Sequence, residues 1–199
     1  MGDPSELDPN TGEYAENILP AMENLDLAVK AANLVIRVST IITTAGLGSS
    51  YPPLAGEFGG SVSSVMQSII GFLAENRSPL LVNVYPYFSL DIRLNYSLFG
   101  LDKIVVQDST LGYTNLFDAV VDATYSAALE KIGASKIEIV VSESKWPSAG
   151  NGDVASIGNA ETCNNNLIKP VSGNSGTPKR LGKSIEVYVF AIFKENLKP

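Results

Sequence analysis

Nine residues place a carboxylate where chemistry can use it. Val140-Val141-Ser142-Glu143-Ser144-Lys145-Trp146-Pro147-Ser148 drives a glutamate to the end of a β-branched run and follows it with an aromatic. A carboxylate beside a flat apolar ring is the outline of a sugar-cleaving site, since the ring packs on a pyranose face while the carboxylate meets the anomeric carbon. The run beneath it, Lys136-Ile137-Glu138-Ile139-Val140-Val141, has too little polar alternation for a half-exposed strand. It is expected to be covered on both faces and to lie in a parallel sheet. In a parallel α/β barrel the chemistry sits on the carboxyl-terminal rim, and Glu143 ends its strand there. For an isolated strand-end glutamate, capping the next helix or pairing with a lysine is the commoner use, so the rest of the chain must decide.

The elements that would position Glu143 alternate. Tyr14 to Lys30 spaces apolar residues at helical intervals around Pro20, as an outer-layer helix would. Residues 34–42 read as a strand, followed by a loop of small residues ending in Tyr51-Pro52-Pro53. Ser61 to Glu75 carries Val62, Val65, Met66, Ile69, Ile70 and Leu73 on one helical stripe. The unit then repeats: strand 80–88 closing in aromatics, and helix 116–132 with Leu116, Ala119, Val120, Ala123, Ala127 and Leu129 inward. The Glu143 strand, a short helix near 160–169 and a last strand over 185–193 complete it. Four strands separated by three helices make a parallel α/β sheet, either half a barrel or a complete open sheet. No strand–helix turn offers GxGxxG or a P-loop, which removes the nucleotide-binding reading.

The 199 residues fit one domain, and 45% hydrophobic with 18% charged content supports a substantial core. With no His, carboxylates must carry any proton transfer, and no metal or other cofactor is expected. The net charge of −7 argues against nucleic acid or an anionic membrane as partner. Cys163 is a lone bystander thiol in a polar stretch. No apolar run approaches the roughly 20 residues that cross a bilayer, and the start Met1-Gly2-Asp3-Pro4 shows no signal peptide. That start alone reads as cytosolic. Two N-glycosylation sequons, Asn76-Arg77-Ser78 and Asn95-Tyr96-Ser97, point instead to secretion, the first with Pro79 directly behind it, which disfavours its use.

Several segments share an order with a known family: Val38-Ser-Thr40, Tyr51-Pro-Pro-Leu-Ala-Gly56, Ser78-Pro-Leu-Leu-Val-Asn-Val-Tyr-Pro-Tyr-Phe88, Val105-Val-Gln-Asp108, Asn115-Leu-Phe-Asp-Ala119, Val140 to Gly150, and Tyr188-Val-Phe-Ala-Ile-Phe193 with Glu195-Asn196. The chain resembles the plant endo-1,3-β-glucanases of glycoside hydrolase family 17, nearly end to end. The resemblance implies a TIM (β/α)8 barrel, a retaining mechanism on β-1,3-glucan, and a secreted (apoplast or cell wall) or vacuolar origin in plant defence or cell-wall turnover. The strands at 34–42, 80–88, 136–143 and 185–195 then look like barrel strands five to eight, so residues 1–199 are expected to be the carboxyl-terminal part of a catalytic domain. The family's general acid, in a Val-Gly-Asn-Glu segment ending the fourth strand, has no counterpart here.

By motif position, Glu143 is the implied nucleophile, and Glu195 the carboxylate that holds substrate hydroxyls and the catalytic pair in place. Without the resemblance, a surface salt bridge to Lys194 or Lys198 is an equal use for Glu195. Glu186 is either a site carboxylate or a solvated charge at its strand's entry. Tyr85, Phe88, Trp146 and Phe193 lie at or just past strand ends and suit sugar stacking, with rim core as their plainer use, while Asn83 and Asn196 suit hydroxyl binding. Tyr87 and Phe190 are expected in the rim core. Family members usually have glycine in place of Lys145 and asparagine in place of Lys194. Cations there would lower a neighbouring carboxylate's pKa, favouring a nucleophile and handicapping a proton donor. Alternatives from other classes are a catalytically inactive or glucan-binding fragment, and a specificity for mixed 1,3-1,4-glucans. A partial barrel would also expose strand edges and invite self-association.

Overall fold

The computed structural model describes residues 14–89, 93–134, 136–173, 175–191 and 193. Glu195, Asn196 and Lys194 fall outside the described residues. In chain order the elements are α1 (Ala15–Ala31), β1 (Ile41–Thr43), β2 (Leu47–Ser49), β3 (Glu57–Phe58), α2 (Gly60–Asn76), β4 (Leu80–Asn83), α3 (Leu94–Ser97), β5 (Val106–Asp108), β6 (Leu111–Tyr113), α4 (Leu116–Tyr125), β7 (Ile139–Ser144), α5 (Ile157–Ser172) and β8 (Val187–Val189). The strands β1, β4, β7 and β8 form one sheet in that order, every pair parallel. The order follows the sequence, as successive strand–helix–strand units require.

The strands are shorter than the β-branched runs that predict them. Leu34, Val35 and Ile36 are exposed, outside any strand. The neighbour of β1 among the described residues is β4, whose ladder starts only at Leu80, so these residues precede any partner backbone. Side chains make the connection there instead: Arg37 donates to the Arg77 carbonyl (3.4 Å) and Ser39 to that of Pro79 (2.5 Å). Strand β4 stops at Asn83, before Pro86, which has no N–H for a ladder and opens the single turn Pro86–Phe88.

The antiparallel ribbons β2–β3 and β5–β6 have no signature in the sequence. Strands of two or three residues are too short to show a period of two. α4 is capped by Asn115, whose side chain accepts from the Asp118 N–H (2.8 Å) and donates to the Asp118 carboxylate (2.8 Å). Past Tyr125 the expected helix continues as a wider π-helical turn, Ser126–Lys131.

One side of the sheet is dry. Leu80, Val82 and Val84 of the β4 segment, Ile137, Ile139 and Val141 of the β7 segment, and Met66, Ile69, Ile70 and Leu73 of α2 are all buried in one cluster. Each such aliphatic side chain stabilises the fold by about 1.5–3 kcal/mol relative to exposure. A second pin is polar. Asp122 of α4 is fully buried and accepts from the Tyr113 hydroxyl (3.1 Å), the Thr177 hydroxyl and the Lys179 N–H (2.8 Å), tying α4 to β6 and to the loop before β8. Gly56 marks a close backbone approach, since a Cβ there would lie 2.1 Å from the Ala123 carbonyl oxygen. That accounts for the glycine closing Tyr51-Pro-Pro-Leu-Ala-Gly56.

Candidate active site

Glu143 reaches its position through an irregularity in the ladder. Val82 pairs with Val141, but the next β4 residue, Asn83, pairs with Glu143, leaving Ser142 as an extra residue on β7. In strict alternation Ser142 would face away from the helices and Glu143 back toward them, because Val141 is in the helix-facing core. The bulge brings both to the same side. The Ser142 hydroxyl donates to Asn83 Oδ1 (2.8 Å), and the Tyr85 hydroxyl donates to Glu143 Oε2. The Val84 N–H, donating to the Glu143 carbonyl at 2.9 Å, locks the backbone. Asn83, Tyr85, Ser142 and Glu143 thus converge on one polar cluster at the carboxyl ends of β4 and β7.

The arrangement suits a nucleophilic carboxylate. Tyr85 orients the group through Oε2. Oε1 accepts no hydrogen bond among the described residues. Asn83 is buried, its carbonyl taken by Ser142, so it props the bulge.

The aromatics divide. Phe88 is 78% exposed, its ring edge-on to Tyr85 and to Tyr87 (centroids 5.6 Å in each case). It offers an open flat face beside Tyr85. Phe193 is also exposed, past the end of β8. Trp146 corrects the expectation of a sugar platform: it is 2% exposed, packed among Leu98, Ala160 and Cys163 and edge-on to Tyr87 (5.2 Å), with its indole N–H donating to the Val154 carbonyl (2.8 Å). A covered ring cannot stack on a sugar. Its buried N–H needs an acceptor, and the loop before α5 supplies one. Tyr87 belongs to the same rim packing and accepts from Asn151 (3.0 Å).

Glu186 also sits apart from the cluster. Its carbonyl accepts from the Val141 N–H (2.9 Å), which sets it short of Glu143 toward the amino-terminal end of the sheet, and its exposed carboxylate accepts from Tyr188 (2.6 Å). It borders a hollow with Glu138, Arg180 and Lys183 at that end. Lys145 holds its ammonium 4.4 Å over the Phe190 ring, and among the described residues it forms no ion pair with Glu143. Phe190 is half-buried, its N–H bonded to the Ser144 carbonyl (3.2 Å), so the ring beneath the cation is tied to the end of β7.

Comparison with known proteins decides the family. The family model described as glycosyl hydrolases family 17 matches residues 5–199. The chain belongs to glycosyl hydrolase family 17. A glucan endo-1,3-beta-glucosidase of Vitis vinifera is 52% identical over 95% of the chain and 56% of its own length. An acidic isoform of the same enzyme from Nicotiana tabacum is 46% identical over 98% and 55%. Among solved structures, a beta-1,3-glucanase and allergen of Cryptomeria japonica pollen superposes with a TM-score of 0.91 at 50% identity, covering 97% of this chain and 61% of that one. A structure from work on two plant beta-glucan endohydrolases with distinct substrate specificities gives 0.87 at 42%, covering 93% and 61%. The chain therefore spans a little over half the length of these relatives.

The fold class of family 17 is the TIM barrel, and the four parallel strands with their helices are a run of its β/α units. Two contributions in this family 17 cluster were not legible beforehand. Tyr85, expected as a sugar contact, also holds the carboxylate, and Ser142 carries no signal of its own in the sequence. The available signal was positional: Asn83-Val84-Tyr85 alternates on the strand next to the Glu143 strand, which sets Tyr85 across from it. No group of three or more His, Cys, Asp or Glu among the described residues is placed to hold a metal ion.

Proposed function

We propose that the protein hydrolyses internal 1,3-β-glucosidic bonds of β-1,3-glucan with retention, and that residues 1–199 are the part of its catalytic domain that carries the nucleophile. The observation that carries this reading is the Tyr85–Glu143 hydrogen bond on a bulge at the carboxyl end of a parallel sheet. Glu143 Oε1 attacks the anomeric carbon while the leaving oxygen takes a proton from a second carboxyl group about 5–5.5 Å away, and water then displaces Glu143. In this reading the second carboxyl belongs to the Val-Gly-Asn-Glu segment that the 199 residues lack. Glu195 and Asn196 hold substrate hydroxyls. Phe88 and Phe193 supply exposed faces for glucose rings. Tyr85 doubles as a contact at the sugar's edge.

The plant sources of the relatives and the two sequons favour a secreted or vacuolar address, in defence or wall turnover. No helix among the described residues is long and apolar enough to cross a membrane. Self-association through the outer edges of β1 and β8, beside the exposed Leu34, Val35 and Ile36, belongs to the same reading of a partial barrel.

The test is reducing-sugar release from a soluble β-1,3-glucan by the chain, and by the chain fused to the amino-terminal half of a family member, each beside Glu143→Gln. Release that disappears in the variant supports the proposal. Release that survives the substitution, or none from either wild-type form, overturns it. Specificity for mixed 1,3-1,4-glucans is the second reading, favoured by the likeness to endohydrolases of distinct specificities. The same assay on both polymers separates the two.

A further inference from the structure

The two sequons are alike in sequence and unlike in the fold. In both, the hydroxyl that the motif requires does nothing structural. Ser78 Oγ and Ser97 Oγ are buried and neither has a hydrogen-bond partner among the described residues. A buried hydroxyl without a partner costs free energy, so packing alone would be served better by alanine.

The asparagines separate them. Asn76 is half-buried at the end of α2, and both ends of its amide are in use: Nδ2 donates to the Phe72 carbonyl (2.9 Å) and Oδ1 accepts from Lys30 of α1 (3.1 Å). A glycan on Nδ2 would push into the α1–α2 contact. Pro79, directly after that sequon, fixes the backbone where the modifying enzyme must bend it. Asn95 is exposed on the short helix α3, while its neighbours Tyr96 and Ser97 turn inward and are buried. Its backbone carbonyl closes the turn by accepting from the Gly100 N–H (2.7 Å), and among the described residues its side chain makes no hydrogen bond that a glycan would break.

We infer that Asn95 is an N-glycan acceptor and that Asn76 is not. This rests on the secretory address proposed above. The co-reactant is an oligosaccharide linked to a lipid diphosphate. Asn95 Nδ2 attacks the first sugar's C1, the N–C1 bond forms, and the C1–O bond to phosphate breaks. The lipid diphosphate departs with the electron pair, and the amide proton passes to solvent.

The experiment directs the chain into the secretory pathway of a plant cell with an added leader and follows its mobility before and after digestion with a peptide-N-glycan amidase. The total cell pool is read together with the medium, so that glycan transfer is scored even where the chain is retained. One digestible glycan is expected, lost in Asn95→Gln and in Ser97→Ala and kept in Asn76→Gln. Ser97→Ala keeps its melting temperature when made without glycan, which separates loss of the motif from loss of the fold. An unmodified wild-type chain, a glycan that survives Asn95→Gln, or a second glycan removed by Asn76→Gln overturns the inference. None of these readouts depends on hydrolysis, so failure of the glucanase reading in its own assay leaves the glycan result standing, and the reverse.

Discussion

Where the sheet meets α2, Leu80, Val82, Val84, Ile139 and Val141 are all buried among aliphatic neighbours. One residue along the same strands, on the other side, Asn83, Tyr85, Ser142 and Glu143 form a hydrogen-bonded cluster with the open ring of Phe88 beside it. The first side is held by apolar area and tolerates any residue of the right volume. The second is held by donor–acceptor direction and tolerates almost none. In the proposed function, stability and chemistry are therefore divided between alternate residues of the same few strands, and substitutions on the two sides should fail in different assays.

The sharpest contrast pairs Glu143→Gln with Leu80→Ala. In a hydrolytically competent form, Glu143→Gln should lower kcat by on the order of 10³-fold or more, about 4 kcal/mol of barrier, with little change in thermal midpoint. Leu80→Ala should cost about 3 kcal/mol in denaturant unfolding, because it empties a site where the side chain is completely covered. A stability loss in the first variant comparable to that in the second would abolish the division.

Helix α4 shows that polar groups on the structural side act through pH. Burial pushes the Asp118 carboxyl up to about 6, with the Asn115 amide opposing and the Asp122 charge reinforcing the rise. Between about pH 4 and that value the folded chain holds a proton that the unfolded chain has released. This group's contribution to stability is thus greatest in acid and is lost as pH rises through the window. Relative to Asp118→Asn, the wild type should lose about 2–3 kcal/mol on going from pH 4 to pH 7, measured by urea unfolding at both. A flat difference would mean that Asp118 is solvated in the folded chain.

Smaller effects probe the open side. Tyr85→Phe should cost about 2 kcal/mol, roughly 30-fold in kcat, by removing the hydroxyl that orients Glu143 while leaving the ring in place. Phe88→Ala should raise KM by roughly fivefold, about 1 kcal/mol, with kcat and melting temperature unchanged, as loss of an exposed stacking face predicts. If kcat fell instead, Phe88 would be acting through Tyr85, which it meets edge-on.

The sequence by itself determined the helix-facing side. Runs such as Leu80-Leu81-Val82 and Ile137-Glu138-Ile139-Val140-Val141, with the stripe Met66, Ile69, Ile70 and Leu73, can bury their apolar area in few ways. Periodicity and the family segments were therefore enough to expect parallel β/α units with Glu143 at a strand end. What it could not determine was direction at close range. Alternation alone would turn Glu143 toward the helices, and it gave no reason to bury Trp146 or to leave Phe88 open. Those outcomes were decided by tertiary structure: the bulge at Ser142 between β4 and β7, and the packing of Leu98 and the loop before α5 against the indole. The physical reason is range. Burial of apolar area is summed over many residues and survives small errors of register, whereas a hydrogen bond or an open ring face depends on which way one side chain points, and the neighbouring strand or loop settles that.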